Sequence, residues 1–496
     1  MLDNIKRLGS HVIIYGFGNV GNRIVGFLLV PIYSRYLSPA DYGVLALVTM
    51  FAQVLYTFMN MGQSSALFRT YFRHDTPEGR QTVITTSLWL ILVLSFPIGL
   101  LALVLSKPLA TMLAGSPQYA FWVALGIGGV AFKTLLRVPQ AVLRAREQSR
   151  AFAGLSVVQT IVTLVLAIFF VVGLHLGGRG VLLSQLLAEV LLCVYLIPVI
   201  IKGLAFRFSL TDAKELLGYG LVLMPGALLS FVIHLADRYF LKLFVSVSAV
   251  GIYALGYRIG EVLYMAIMAF ELAYPQFVYG HLKKPGAKDL YARVCTYYLA
   301  GLGAMWLVVS IFAEETVRIM AHPAYYEAYR VVPWIAGAFL FQGLGTVWNI
   351  SMFVHKIVKF RLLTSIATAI VSLGLNLTLI PRYHMMGAAA VALFSFIFQF
   401  LVQARIGYHL FPVPHEWGRV FRLAAVGAGI YAIGVLVNWG SMPMALLGKS
   451  ILLVLAPGVL YLIGFFEARE IAGIKSVVMA FRRGQMSALP VRGSGK

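Results

Sequence analysis

Residues 28–43 read LLVPIYSRYLSPADYG. An apolar run ends here, a short polar stretch with Arg35, Pro39 and Asp41 follows, and a second apolar run begins at once. Ser38 suits a helix N-cap, because its hydroxyl can accept from a first-turn N–H that has no other partner. Pro39 suits the first helical position, where the missing N–H is not needed and φ is already set. The stretch predicts a tight turn between two long apolar helices, and the fold depends on how often that pattern recurs.

It recurs along the whole chain. The 496 residues are 60% hydrophobic and 12% charged, about half the charged fraction of a soluble globular protein. Apolar stretches of roughly 20 residues follow one another, each long enough to cross a ~30 Å hydrocarbon core as a helix. The ~10-residue alternation of a membrane barrel is absent. The expected fold is an all-α integral membrane protein of fourteen spans, near 11–36, 41–66, 82–105, 118–141, 151–173, 180–201, 215–236, 249–277, 290–313, 329–352, 360–380, 386–409, 418–438 and 444–466. No cleavable signal peptide is expected: Met1 to Gly9 is a short polar lead, and the first apolar stretch is long and lacks a small-residue cleavage site.

Charge sets the expected orientation. With a cytoplasmic N-terminus and residues near span ends counted with the adjoining segments, inward segments hold 27 Lys and Arg, outward segments hold 9, and four, Arg23, Lys133, Arg137 and Arg258, lie inside spans. This bias puts both termini in the cytoplasm and the turn at 28–43 outside. The net charge of +22 has the same origin. It suits an anionic leaflet and gives no support for nucleic-acid binding.

The opening turn has a second copy. DRYFLKLFVSVSAVGIY at 237–253 again places Arg-Tyr before a turn and a helix rich in small residues and tyrosine. Tyr15-Gly16 precedes Arg35 by 20 residues, and Tyr219-Gly220 precedes Arg238 by 19. Helices 1–2 thus look like helices 7–8. An offset of six helices preserves orientation, so the repeat is parallel, with a pseudo-two-fold axis along the membrane normal. Asp237 and Arg238 read as interfacial turn residues.

Two segments, FLLVPIYSRYLSPADYGVLALV and YGLVLMPGALLSFVIHLADRYFLKLF with the following VGIYALGYRIGE, closely resemble the oligosaccharide flippases (Wzx-like polysaccharide biosynthesis proteins) of the multidrug/oligosaccharidyl-lipid/polysaccharide exporter superfamily. The resemblance implies two six-helix lobes, 1–205 and 206–412, then helices 13 and 14 at 413–470 and a cytoplasmic tail at 471–496. It further implies a bacterial inner-membrane protein that moves an undecaprenyl-diphosphate-linked repeat unit to the outer leaflet, as in O-antigen, lipopolysaccharide and other cell-surface polysaccharide synthesis. Its implied partners are that lipid-linked oligosaccharide, membrane lipid, and a polysaccharide polymerase with its chain-length machinery.

Ionised side chains within spans usually face a cavity or a partner. Arg23 lies mid-helix in GNVGNRIVGF. Lys133 and Arg137 are i,i+4 in helix 4 and share one face. They read either as cavity cations or as residues snorkelling to the interface. Arg258 and Glu261 are i,i+3 in helix 8 and close enough to pair. These five residues are the expected substrate-binding set, because a diphosphate needs a basic lining and arginine can grip its oxygens bidentately. Glu189 and Glu271 are candidates for a coupling H+ or Na+, and no other cofactor or metal is expected. The related peptidoglycan-precursor flippase carries an arginine followed by two apolar residues, Gly and Phe in its first helix, and an Arg-x-x-Glu in its eighth. Arg23-Ile24-Val25-Gly26-Phe27 and Arg258-Ile259-Gly260-Glu261 match those runs. Its further arginines have no match between Phe51 and Asn60, which argues against the same substrate.

Other motifs carry no chemistry. Gly16-Phe-Gly18-Asn-Val-Gly21 spells a dinucleotide fingerprint inside a span with no preceding strand. Cys193 and Cys295 are far apart and have no metal-site spacing. Pro225-Gly226 predicts a kink early in helix 7. The expected mechanism is alternating access by rocking lobes, not enzymatic turnover. The alternative is a MATE-like drug/cation antiporter of the same fold, but the intramembrane set of 4 basic and 3 acidic residues favours an anionic cargo. A membrane glycosyltransferase or polymerase would need a large outer domain, and the longest outer loop expected, Ala313 to Ala328, is too short for one.

Overall fold

The computed structural model describes residues 26–203, 207–348, 350, 358–467 and 470. Among the described residues all regular structure is helical. Eleven helices among the described residues are long and apolar enough to cross a membrane, or twelve if Pro323–Arg330 and Val332–Trp348, bent by 43°, form one span. The 51 residues of Phe360–Leu410 would reach roughly 75 Å as a straight helix, more than twice the hydrocarbon core. His384, non-helical at φ 53° and ψ −127°, breaks the run where the sequence places a turn between two spans. The first expected span, 11–36, lies mostly outside the described residues.

The opening turn forms as its sequence dictates. Helix Val30–Tyr36 ends at Leu37, and Ser38 caps helix Pro39–Asn60, its hydroxyl accepting from Asp41 N at 3.1 Å. The second copy is built alike: Ser246 caps helix Val247–Gly260 and accepts from Ala249 N at 3.1 Å. Gly43 and Gly251 each stand five residues past their serine, and the two helices cross there. A Cβ on Gly43 would lie 1.9 Å from Val247 O, and one on Gly251 would lie 1.9 Å from Pro39 O. Each glycine therefore lies against the first carbonyl of the other helix, a reciprocal contact that admits no side chain.

Three expectations change. Helix 7, expected at 215–236, is a 35-residue helix, Leu210–Phe244, that contains Pro225. Asp237 and Arg238 are consequently not turn residues; they lie in this helix, 5% and 7% exposed. The span expected at 249–277 divides at Glu261 into Val247–Gly260 and Val262–His281. The expected outer loop is helix Ala313–Met320 followed by a 3-10 segment, Pro323–Arg330. This segment holds the first half of the chain: Ser34 Oγ donates to Met320 O at 3.2 Å and Tyr325 OH donates to Leu37 O at 2.9 Å.

Helix Pro39–Asn60, about 33 Å long by its helical rise, meets the second half of the chain at both ends. At the Pro39 end lie the glycine crossing and the Tyr325 contact, with Tyr42 edge-on to Tyr325 at 5.9 Å. At the other end Met61 and Gly62 turn the chain through positive φ (45° and 67°) into helix Gln63–Tyr71. There a Cβ on Gly220 would lie 2.1 Å from Met61 O.

Backbone packing divides the chain into two compact units: 1–287 with 313–412, and 288–312 with 413–496. In the second unit Leu307 and Ile311 pack on Ile430. Arg419 pairs with Glu416 at 3.0 Å and Glu470 at 2.9 Å, and Thr296 Oγ1 donates to Glu416 at 2.7 Å. The contacts between the first and second halves of the chain along helix Pro39–Asn60, which form a seam, and the site residues below belong to the first unit.

Candidate functional site

Five of the expected site residues, Lys133, Arg137, Glu189, Arg258 and Glu261, fall into two described groups. The first is carried by helices Pro39–Asn60, Ala120–Ala145, Ser149–Ile168 and Gly177–Gly203. Lys133 Nζ stands 5.1 Å from the centre of the Tyr56 ring, and the Arg137 guanidinium stands 5.6 Å from the same ring. The i,i+4 spacing sets both cations on one face, and Tyr56 of the neighbouring helix offers its electron-rich face to both. Arg137 Nη1 donates to Gln140 at 3.2 Å. Its Nε is buried with no hydrogen-bond partner among the described residues. Glu189, 9% exposed, accepts from Gln159 Nε2 at 2.9 Å and lies within electrostatic reach of both cations. Lys133 and Arg137 are half-buried and turned towards Tyr56. Arg137 also borders a small pocket with Asn60, Gln63 and Ser64.

The second group lies in the second half of the chain. Arg258 Nη1 is 3.6 Å from Glu261 Oε2, so the i,i+3 pair forms as expected. Arg258 stands twelve residues beyond the Ser246 cap, roughly 18 Å along the helix axis. Its guanidinium lies on the backbone of Gly26: a Cβ there would be 1.9 Å from Nη2. An arginine of the second half thus touches the first helix, three residues from Arg23 in sequence. Arg23 itself lies outside the described residues. Glu271 is apart from both groups; it is exposed and accepts from Thr346 Oγ1 at 3.0 Å.

Next to Arg258 is a buried cluster that the sequence did not announce. Arg238 donates to His234 O at 3.0 Å and to Asp237 Oδ1 at 3.2 Å, and its guanidinium covers the Tyr257 ring at 4.3 Å. The Tyr253 hydroxyl donates to Asp237 Oδ2. Every charge here has a partner, as burial requires. Tyr42, from the first half, lies within electrostatic reach of Arg258, Arg238 and Glu261. Tyr56 and Gln159 were also missed. The available signal was a ring or an amide inside an otherwise apolar span, which by itself selects neither.

Chemically, the first group holds two cations against one carboxylate, and the second pairs each arginine with one acid. With all groups ionised, the first group thus carries one net positive charge and the second is balanced, and the surplus cation of the first group is what an anion could meet.

Residues 32–272 match the family described as polysaccharide biosynthesis protein. The chain is 25% identical over 290 residues to the succinoglycan biosynthesis transport protein ExoT of Rhizobium meliloti, covering 55% of each protein. It is 25% identical over 283 residues to a protein of the Lsg locus of Haemophilus influenzae, covering 55% of this chain and 66% of that one. The chain thus aligns with only about half to two-thirds of the length of these relatives. In structure it is similar to the lipid II flippase MurJ in an inward closed conformation, with TM-score 0.70 and 12% identity over 90% of this chain and 99% of that one. It is also similar to an inward-facing multidrug resistance MATE transporter of the MOP superfamily, with TM-score 0.63 and 17% identity over 81% of this chain and 95% of that one.

Proposed function

We propose that the chain, whose fold is similar to those of MurJ and MATE transporters and whose residues 32–272 match the polysaccharide biosynthesis protein family, is a flippase for a polyprenyl-diphosphate-linked oligosaccharide in cell-surface polysaccharide synthesis. The observation that carries this reading is the Lys133–Arg137 pair on Tyr56, opposed by the single carboxylate of Glu189. A cavity for cationic drugs would need the reverse balance. Arg258, laid on Gly26, supplies a cation where the two lobes meet. The diphosphate headgroup enters from the cytoplasm, the prenyl chain stays in lipid, and rocking of lobes 1–205 and 206–412 delivers the headgroup outside. Coupling to H+ or Na+ runs through a membrane carboxylate, for which buried Glu189 is better placed than exposed Glu271.

Complementation of polysaccharide export, with membrane abundance measured in parallel, tests the reading. Lys133→Ala and Arg258→Ala are expected to reduce export by about tenfold or more, the effect of losing one charge-assisted hydrogen bond. Arg258→Lys is expected to restore it in part. Export at the wild-type level in both alanine variants contradicts the reading.

A further inference from the structure

At the Gly62 end, the two halves of the chain face each other through side chains sorted by charge. Arg73 Nη1 donates to Glu215 Oε2. His74 Nε2 lies 3.0 Å from Asp212 Oδ1. The Arg69 guanidinium lies 4.7 Å from the centre of the Tyr219 ring. Asp212, Glu215 and Tyr219 are spaced i, i+3, i+7 on helix Leu210–Phe244 and form one stripe, and Arg69 and Arg73 stand one turn apart. Arg80 Nε donates to His74 O at 2.8 Å and holds that residue towards the stripe. Ser209 N donates to Thr86 Oγ1 at 3.1 Å and closes the row.

The row borders the buried apolar cluster in which Ala213 and Leu216 meet Ala66, Leu67 and Tyr71, and two features distinguish it from that packed core. The basic members, Arg69, Arg73 and His74, all come from the first half of the chain, and both carboxylates come from the second. The first-half side chains are also open to water: Arg73 is 68% exposed and His74 32%, against 20% for Glu215 and 8% for Asp212.

We propose that this row is an anion-operated latch, in which the diphosphate of the cargo displaces Glu215 and Asp212 from Arg73 and His74 and so holds the cytoplasmic end of the seam open. The inference rests on the flippase reading and names the step by which its substrate gains entry. When the lobes part, the carboxylates leave with one lobe and the basic groups stay on the other. A diphosphate finds those groups occupied in the closed state and available in the open one. It therefore binds the open state better, and that differential affinity is what shifts the population. A cationic cargo gains nothing at Arg69 and Arg73.

Pulsed electron paramagnetic resonance on the full chain in nanodiscs tests this. Both native cysteines, Cys193 and Cys295, are free and buried, and both are replaced by serine. Nitroxides are then placed at the exposed residues Phe72 and Lys214, on opposite sides of the row. Inorganic pyrophosphate is expected to raise the long-distance population about threefold or more, while a polyamine leaves it unchanged. Arg73→Glu is expected to favour the long distance without ligand, and Arg73→Glu combined with Glu215→Arg to return it to the short one. A distribution that ignores pyrophosphate, or ignores Arg73→Glu, overturns the latch. Export separates the latch from the reading beneath it. Normal export with an unresponsive seam removes the latch alone. A responsive seam in a protein that moves no diphosphate-linked lipid keeps the latch and removes the cargo.

Discussion

At the Pro39 end of the seam, backbone meets backbone: Gly43 lies on Val247 O, Gly251 lies on Pro39 O, and buried Asp237 and Arg238 fix the adjoining helix. At the Gly62 end one glycine contact remains, Gly220 on Met61 O, with Ala213 and Leu216 packed into a buried apolar cluster with Ala66, Leu67 and Tyr71, and a row of side-chain pairs with water-exposed basic groups lies over it. The two closures respond to different perturbations. Backbone contacts are lost together when the helices separate, and salt does not weaken them. Exposed ion pairs contribute about 0–1 kcal/mol each, and physiological salt screens exposed charges beyond ~8 Å. The Gly62 end is the end whose polar contacts an anion or salt can loosen. In the expected orientation it faces the cytoplasm, where a lipid-linked headgroup would arrive.

The largest effect is expected at the buried cluster. Asp237→Ala leaves Arg238 charged, buried and without its acid, a change of about 3–5 kcal/mol. It should appear as loss of the protein from the membrane fraction or a clear fall in its unfolding temperature. Wild-type abundance and melting would break the claim that the Pro39 end is the locked one. A smaller effect is expected at the crossing. Gly43→Ala must push back the Val247 carbonyl, at about 1–3 kcal/mol. Gly154→Ala, with no atom within 4 Å of the added methyl, should be neutral or slightly stabilising. Equal melting temperatures for the two variants would mean that the crossing bears no load. The smallest effect on stability is expected from Arg73→Ala, below about 1 kcal/mol, although that variant should lose the response of the seam to pyrophosphate. A large stability loss there would erase the contrast between the two ends.

Much of the fold was legible because membrane helices write themselves locally. The Ser38 cap followed by Pro39 is a four-residue signal, Ser38 to Asp41, that needs no tertiary context, and the structure makes that bond. The i,i+4 and i,i+3 pairs 133/137 and 258/261 also keep their geometry, since helix spacing alone decides it. What failed was non-local. Asp237-Arg238 resembles a turn because two adjacent charges rarely enter a span; Tyr253 and Tyr257 of the next helix make their burial tolerable. Ala313–Met320 resembles a loop because its Glu314, Glu315 and Arg318 are polar, yet it closes on Ser34 almost 290 residues earlier. The row at the Gly62 end was out of reach for the same reason. Its partners are 142 and 138 residues apart, and neither member of a pair carries a local pattern that points to the other.

The most direct measurement is flipping itself. Purified protein would be placed in liposomes whose inner leaflet carries a polyprenyl-diphosphate-linked oligosaccharide, and the glycan reaching the outer leaflet would be counted with an impermeant glycosidase. The account predicts transfer by the wild-type chain and a rate about tenfold or more lower for the reconstituted Lys133→Ala/Arg258→Ala double variant. Transfer no faster than in protein-free liposomes, or a double variant as fast as wild type, would contradict it.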